Sequence, residues 1–242
     1  MIETRLTDEL NELATNGLTR RRRLLESPCG RTATVDGKKL LNFASNDYLG
    51  LAGNAEIAQA MADGALQWGA GSGASHLVSG HLAPHEALEK EIAAFVGFPH
   101  ALTFSTGYLA NLAIVPTLAG RGAAIFSDKL NHASLIDAMQ LAKANGAEVQ
   151  RYPHGDVTAL ERLLATSTTA TKLIVTDAVF SMDGDLAPLP LLYALAERYD
   201  AWLVIDDAHG FGVLGKNGRG SLSHFNLLAT PRILLMGTLG KA

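Results

Sequence analysis

From residue 54 onward the apolar positions alternate between two patterns, a repeat near 3.6 residues and short continuous runs. The first pattern predicts helices near 54–67, 84–96, 108–119, 133–144, 156–165 and 189–199. The second predicts strands at 101–105, 123–127, 147–152, 172–177, 201–206 and 232–236. Such alternation marks βαβ units, hence an α/β fold with a mostly parallel sheet covered by helices. Ahead of it, Ile2, Leu6, Leu10, Leu13 and Leu24 fall on one helical repeat, predicting an amphipathic helix over 2–24. Asp36-Gly37 then separates strand-like pieces at 32–35 and 39–43, the sequence of a hairpin. The expected division is an N-terminal helix and hairpin segment, 1–45, and a large domain, 46–242.

In an open parallel sheet, ligands bind beyond the carboxyl ends of the strands, and polar residues collect there. Ser105-Thr106-Gly107-Tyr108 follows the run 101–105, and Asp128 with Asn131-His132-Ala133-Ser134 follows 123–127. Asp177 and Ser181-Met182-Asp183-Gly184 follow the run 172–177. Asp206 and His209 close 201–206, and Thr238 and Lys241 follow 232–236. Five strand ends converge on one crevice, which points to an enzyme rather than a structural protein.

Composition narrows the class. The 242 residues are 48% hydrophobic and 18% charged, ordinary for a globular protein, and the formal net charge of −4 argues against a nucleic-acid binder. The run Arg20-Arg21-Arg22-Arg23 reads as the solvated end of the first helix. One cysteine, Cys29, cannot form an internal disulfide, which fits a reducing compartment. Without a secretory signal pattern or an apolar stretch of membrane-spanning length, the expected compartment is the cytoplasm.

The candidate chemistry is an acid, a histidine and a lysine delivered by strand ends. That set suits pyridoxal 5'-phosphate (PLP), with the lysine forming the Schiff base and the acid holding the pyridine nitrogen protonated. Asp206 ends an apolar run and needs a buried partner, either a pyridinium or a structural arginine. His209 lies within reach of the same ring's phenolic oxygen. His132 either stacks on the ring or is a plain helix N-terminal residue. Ser181 is a hydrogen-bond donor or a turn serine. Gly107 and Tyr108 open a helix whose N–H groups can hold a phosphate, or are turn chemistry alone. Thr238 adds a hydroxyl there or caps a turn. Gly237-Thr238-Leu239-Gly240-Lys241-Ala242 is not a nucleotide P-loop, since the spacing is wrong and no hydroxyl follows the lysine. No Gly-x-Gly-x-x-Gly opens a helix, and no metal-ligand pattern is read.

At these residues the chain resembles the α-oxoamine synthases, PLP enzymes of fold type I. The resemblance runs from Leu41-Asn42-Phe43-Ala44-Ser45-Asn46-Asp47-Tyr48-Leu49-Gly50 through Ser105-Thr106-Gly107-Tyr108 and Asn131-His132-Ala133-Ser134. It continues in Phe180-Ser181-Met182-Asp183-Gly184 and Asp206-Asp207-Ala208-His209-Gly210, ending at Thr238-Leu239-Gly240-Lys241. It implies a three-layer α/β/α large domain. It further implies Lys241 as the Schiff-base and proton-transferring lysine, Asp206 at the pyridinium, and His209 with Ser181 at the phenolic oxygen. His132 would stack on the ring, with Gly107, Tyr108 and Thr238 around the phosphate. Arg20 matches an arginine that contacts the acyl substrate, and Asn46 would lie near the amino-acid carboxylate.

Ser45-Asn46-Asp47-Tyr48, Val78-Ser79-Gly80-His81 and Asp207-Ala208-His209-Gly210-Phe211-Gly212 lean toward members that join L-alanine to a pimeloyl thioester of CoA or acyl carrier protein (ACP), in biotin synthesis. Members that use glycine with acetyl-CoA, or that make 5-aminolevulinate, are the runners-up. The resemblance implies a homodimer in the full-length form, while the charge balance and the lack of a membrane-length apolar stretch point to no nucleic acid and no membrane. Family members continue well past the lysine into a C-terminal α/β domain. The chain is therefore expected to be a truncated product with its large domain incomplete, inactive or nearly so as a synthase.

Overall fold

The computed structural model describes residues 2–242 and divides the chain into two units, Met1–Asn54 and Ala55–Ala242.

In the first unit, helix α1 (Ile2–Thr15) is shorter than the periodicity predicts. Gly17, at φ 67°, ends it in a Schellman cap. The Leu18 N–H donates to the Leu13 carbonyl at 2.8 Å and the Gly17 N–H to that of Ala14 at 3.1 Å. Leu24 therefore shares the repeat without sharing the helix, and Arg20–Arg23 lie in non-helical chain beyond it rather than at its end. Strands β1 (Thr32–Val35) and β2 (Lys38–Leu41) form the expected antiparallel hairpin. Positive φ at both Asp36 (49°) and Gly37 (74°) is what a type I′ turn requires.

The second unit opens with α2 (Ala55–Trp68) and α3 (Ala83–Val96), with a π-turn at His76–Gly80 between them. Next come α4 (Gly107–Leu118), β3 (Ala123–Asp128), α5 (Ala133–Ala144), β4 (Glu148–Tyr152), α6 (Val157–Thr166) and β5 (Thr171–Asp177). The chain finishes with α7 (Leu189–Arg198), β6 (Trp202–Asp206), the short α8 (Ser221–His224) and β7 (Ile233–Met236). The five strands β3 to β7 form one parallel sheet in the order β4-β3-β5-β6-β7.

The predicted strand at 101–105 is absent. A strand exists only with a ladder partner, and the Thr103 N–H donates instead to the Glu89 carboxylate of α3, at 2.7 Å.

Strands buried on both faces must be apolar on both, and β3 is fully buried along its length. Ala124 and Phe126 of β3, Ile174 of β5 and Leu203 and Ile205 of β6 pack with Leu160 and Leu164 of α6 and Leu192 of α7. Ile125, Leu173, Val175 and Val204 point the other way, onto Val115 of α4 and Leu135 and Met139 of α5. This is the three-layer α/β/α arrangement, and it leaves the carboxyl ends of β3, β5, β6 and β7 at one edge. Among the described residues no helix is long and apolar enough to cross a membrane.

Candidate active site

Two buried carboxylates, Asp177 and Asp206, stand side by side as a register pair at the ends of β5 and β6. Among the described residues no lysine or arginine lies within ion-pair distance of either. Burial, and then the neighbouring Asp206, push the Asp177 carboxyl up to about 7. Lys241 and the His132 N–H, which donates to Asp177 Oδ1 at 3.2 Å, pull the other way. Buried carboxylates without a countercharge are expensive even when hydrogen-bonded, so this pair suits an added cation.

Lys241, past the end of β7, faces the pair. Its amine lies 2.9 Å from His209 Nε2. Burial lowers the Lys241 amine, and the charges of Asp206 and Asp177 oppose that shift. Burial, and then Lys241, lower the His209 imidazole, which favours its neutral form, so Nε2 can accept a hydrogen bond from the lysine amine.

Asp206 is held from two sides. The Ala208 N–H donates to Oδ1 at 3.0 Å, and Asn111 Nδ2 donates to Oδ2 at 2.7 Å. The same Asn111 amide reaches Ser134 Oγ at 2.9 Å, and Ser134 Oγ lies 2.7 Å from Nδ1 of His132. His132 is the N-cap of α5, its Nδ1 accepting the Ser134 N–H at 3.2 Å. Asn131 ties the same loop to β5: its Nδ2 donates to the Val175 carbonyl at 2.8 Å, and its Oδ1 accepts the Asp177 N–H at 3.0 Å.

The start of α4 faces Thr238. A Cβ on Gly107 would meet the Met236 sulfur at 3.6 Å and the Thr238 Cβ at 3.9 Å, so a glycine keeps this cradle open. Thr106 caps the helix through the Leu109 N–H at 3.1 Å, and the first-turn N–H groups of Gly107 and Tyr108 have no intrahelical acceptor. The Tyr108 hydroxyl donates to Asp137 of α5, which holds its phenol above the usual range. Thr238 Oγ1 accepts the Gly240 N–H at 3.2 Å.

Lys241, His209, Asp206, His132, Gly107, Tyr108 and Thr238 thus all stand at the carboxyl edge of the sheet. Ser181 lies in the exposed turn that follows β5. Arg20 and Asn46 belong to the first unit, where Arg20 is exposed and Asn46 Oδ1 accepts the Tyr48 hydroxyl at 3.2 Å. Sequence reasoning assigned no role to Asn111, Ser134 or Asp177. Asn111 was detectable as the one polar side chain in the run Leu109-Ala110-Asn111-Leu112-Ala113-Ile114-Val115.

A second polar cluster, His76, His81 and His85, has its ring nitrogens close enough together to share a metal ion. Several are engaged within the protein: His76 Nδ1 with His81 Nδ1 at 2.8 Å, His81 Nε2 with Glu86 at 3.1 Å, and His85 Nδ1 accepting the Leu82 N–H at 3.0 Å.

Comparison with known proteins places this geometry. The family model described as aminotransferase class I and II matches residues 38–242. An 8-amino-7-oxononanoate synthase of Dechloromonas aromatica is 82% identical over the whole chain, and that of Herminiimonas arsenicoxydans 62%. The chain spans 62% of the length of each. Among solved structures, serine palmitoyltransferase from S. paucimobilis, with PLP and myriocin bound, is 32% identical with a TM-score of 0.86. That match covers 96% of this chain and 58% of the other. The 8-amino-7-oxononanoate synthase of Francisella tularensis is 34% identical with a TM-score of 0.69, covering 83% of this chain and 54% of the other.

Proposed function

Because the chain belongs to the class I and II aminotransferase family, we propose that it binds PLP and carries the cofactor site of an 8-amino-7-oxononanoate synthase. The reaction condenses L-alanine with a pimeloyl thioester of CoA or ACP, releasing CO₂ and the free thiol, as a step of biotin synthesis. The observation that carries the cofactor assignment is the buried pair Asp177 and Asp206. Among the described residues it has no basic side chain within ion-pair distance, and it faces the Lys241 amine, which burial lowers. The pair fits a protonated pyridine nitrogen, and Gly107 with Thr238 fits a phosphate. For the substrates, the support is the shared name of relatives at 82% and 62% identity.

PLP, when bound, supplies an electron sink for a carbanion next to the amino-acid nitrogen. The chain's own residues do the rest. Lys241 would be the attachment amine and then the base at the alanine α-carbon, with His209 2.9 Å away as its hydrogen-bond partner. Asp206 would face the pyridine nitrogen, while His209 and Ser181 would face the phenolic oxygen. His132 would cover one ring face. The N–H groups of Gly107 and Tyr108 and the hydroxyl of Thr238 would hold the phosphate. Arg20 contacts the acyl substrate and Asn46 the alanine carboxylate. Residues 46–242 form the cofactor domain, with 1–45 as the acyl-facing segment. The working form is a homodimer in the cytoplasm.

The test is a visible absorption spectrum of the purified chain with added PLP, beside Lys241→Ala. A cofactor band that borohydride fixes covalently on Lys241, absent in the variant, is expected. A folded chain without the band overturns the cofactor assignment. Assays pairing alanine or glycine with pimeloyl or acetyl thioesters test the substrates, and preference for glycine overturns alanine.

A further inference from the structure

Asn111 is fully buried on α4, and its carboxamide is used unevenly. Both amide hydrogens are spent, one on Asp206 Oδ2 at 2.7 Å and one on Ser134 Oγ at 2.9 Å. Its carbonyl oxygen is buried and, among the described residues, has no hydrogen-bond partner. An orphaned buried acceptor is costly, so something must hold the amide in this orientation. Turning it over would set Oδ1 against the Asp206 carboxylate, acceptor on acceptor, which is worse. The amide orientation is therefore dictated by Asp206.

The consequence runs to His132. Ser134 Oγ accepts from Asn111 and lies 2.7 Å from His132 Nδ1, and because that nitrogen already accepts a backbone N–H, the hydroxyl hydrogen points to it. The Ser134 backbone N–H donates to the same nitrogen at 3.2 Å. Nδ1 is thereby an acceptor twice over, and the neutral ring carries its proton on Nε2. We infer that Asn111 is a positioning residue that sets the carboxylate of Asp206 and, through Ser134, the tautomer and ring orientation of His132. One side chain thus couples the acid at the ring edge to the histidine at the ring face. This deepens the PLP reading and rests on it for what those two groups face.

Two variants separate the links. In Asn111→Asp, the new carboxyl must hold a proton against Asp206 Oδ2, and its oxygen then accepts the Ser134 hydroxyl hydrogen and turns the Ser134 lone pairs toward His132. The His132 proton should move to Nδ1, visible as exchanged ¹⁵N shifts of its ring nitrogens in the cofactor-free chain. A merely structural asparagine would leave the tautomer as it was, and an unchanged tautomer overturns the inference. In Asn111→Leu, Asp206 loses a charge-assisted donor, and PLP should bind about tenfold more weakly or worse. Binding within about twofold of the unaltered chain also overturns it. If both variants fail to fold, Ser134→Ala decides. Loss of the hydroxyl leaves only the longer backbone N–H on Nδ1, so the Nδ1-protonated share of His132 should rise, and a tautomer ratio equal to that of the unaltered chain defeats the proposal. Should the unaltered chain take no PLP at all, the cofactor reading fails while the tautomer experiment still judges Asn111.

Discussion

The amine of Lys241 sits 2.9 Å from Nε2 of His209, bringing the far end of β7 onto the loop that leaves β6. Burial, and next the charge of Lys241, hold the His209 imidazole below its ordinary value, while Asp206 opposes them. Replacing Lys241 by methionine keeps the bulk and removes the charge. His209 should then titrate at higher pH, though still below an exposed histidine because burial is the larger cause. An NMR pH titration of the ring in both proteins reads the shift. Coincident curves would show that Lys241 exerts no field on His209.

Asp177 carries a stability cost at neutral pH. Its carboxyl is pushed from the ordinary 3.8 up to about 7, by burial first and by Asp206 next. The folded cofactor-free chain thus holds a proton that the unfolded chain releases. Stability falls as pH rises through that window and stays low above it. Asp177→Asn keeps an oxygen for the His132 N–H and removes the charge. The variant should be more stable than the unaltered chain at pH 8, by about 1 kcal/mol or more, with the difference vanishing near pH 4. Urea melts at the two pH values check this, and equal stability at pH 8 would contradict it.

The fold was legible where one element carries its own pattern. α5 and β5 were readable because their apolar spacing is set by burial against the sheet, within a single segment. The end of α1 was missed because Leu24 falls on the helical repeat by coincidence, although Asn16-Gly17 held the capping signal. The segment 101–105 has strand-like residues, but a strand is a relation between two segments, and no partner is written into either. The site divides in the same way. Asp206, His209 and Lys241 sit on local motifs. The contact of Asn111 with Asp206 spans 95 positions, and that of His154 with Asp185 spans 31, so neither leaves a local trace.

Asp207 explains Gly210. Its carboxylate takes the Ser221 N–H at 2.8 Å and the Ser221 hydroxyl at 2.5 Å, pinning the start of α8 under the loop after β6. A Cβ on Gly210 would collide with both Asp207 Oδ1 and Ser221 Oγ. Gly210→Ala should therefore cost about 2 kcal/mol or more, in line with leaving a buried polar group unpaired. Gly64→Ala is the control: it lies within α2, with nothing near the added methyl, and should gain about 0.5–1 kcal/mol. Chemical denaturation of both variants tests the contrast, and a neutral Gly210→Ala would show that the Asp207–Ser221 contact can be given up freely.

His154 joins the loop after β4 to the turn that carries Ser181. Its Nδ1 lies 3.0 Å from Asp128, at the end of β3, and its Nε2 lies 2.8 Å from Asp185. The ring also meets Phe180 edge-on, with centroids 4.4 Å apart. Burial is the largest single influence and lowers this imidazole, but the two carboxylates together outweigh it, so the net shift is upward. A histidine raised above its unfolded value contributes stability fully below that unfolded value. The contribution is lost as pH rises through the folded one. His154→Asn should therefore destabilise the chain most at pH 5 to 6, with its melting curve approaching that of the unaltered chain as pH climbs past 8. Thermal melts across that range decide the matter. A deficit that stays constant with pH would mean that His154 acts by packing on Phe180, and that its charge holds nothing.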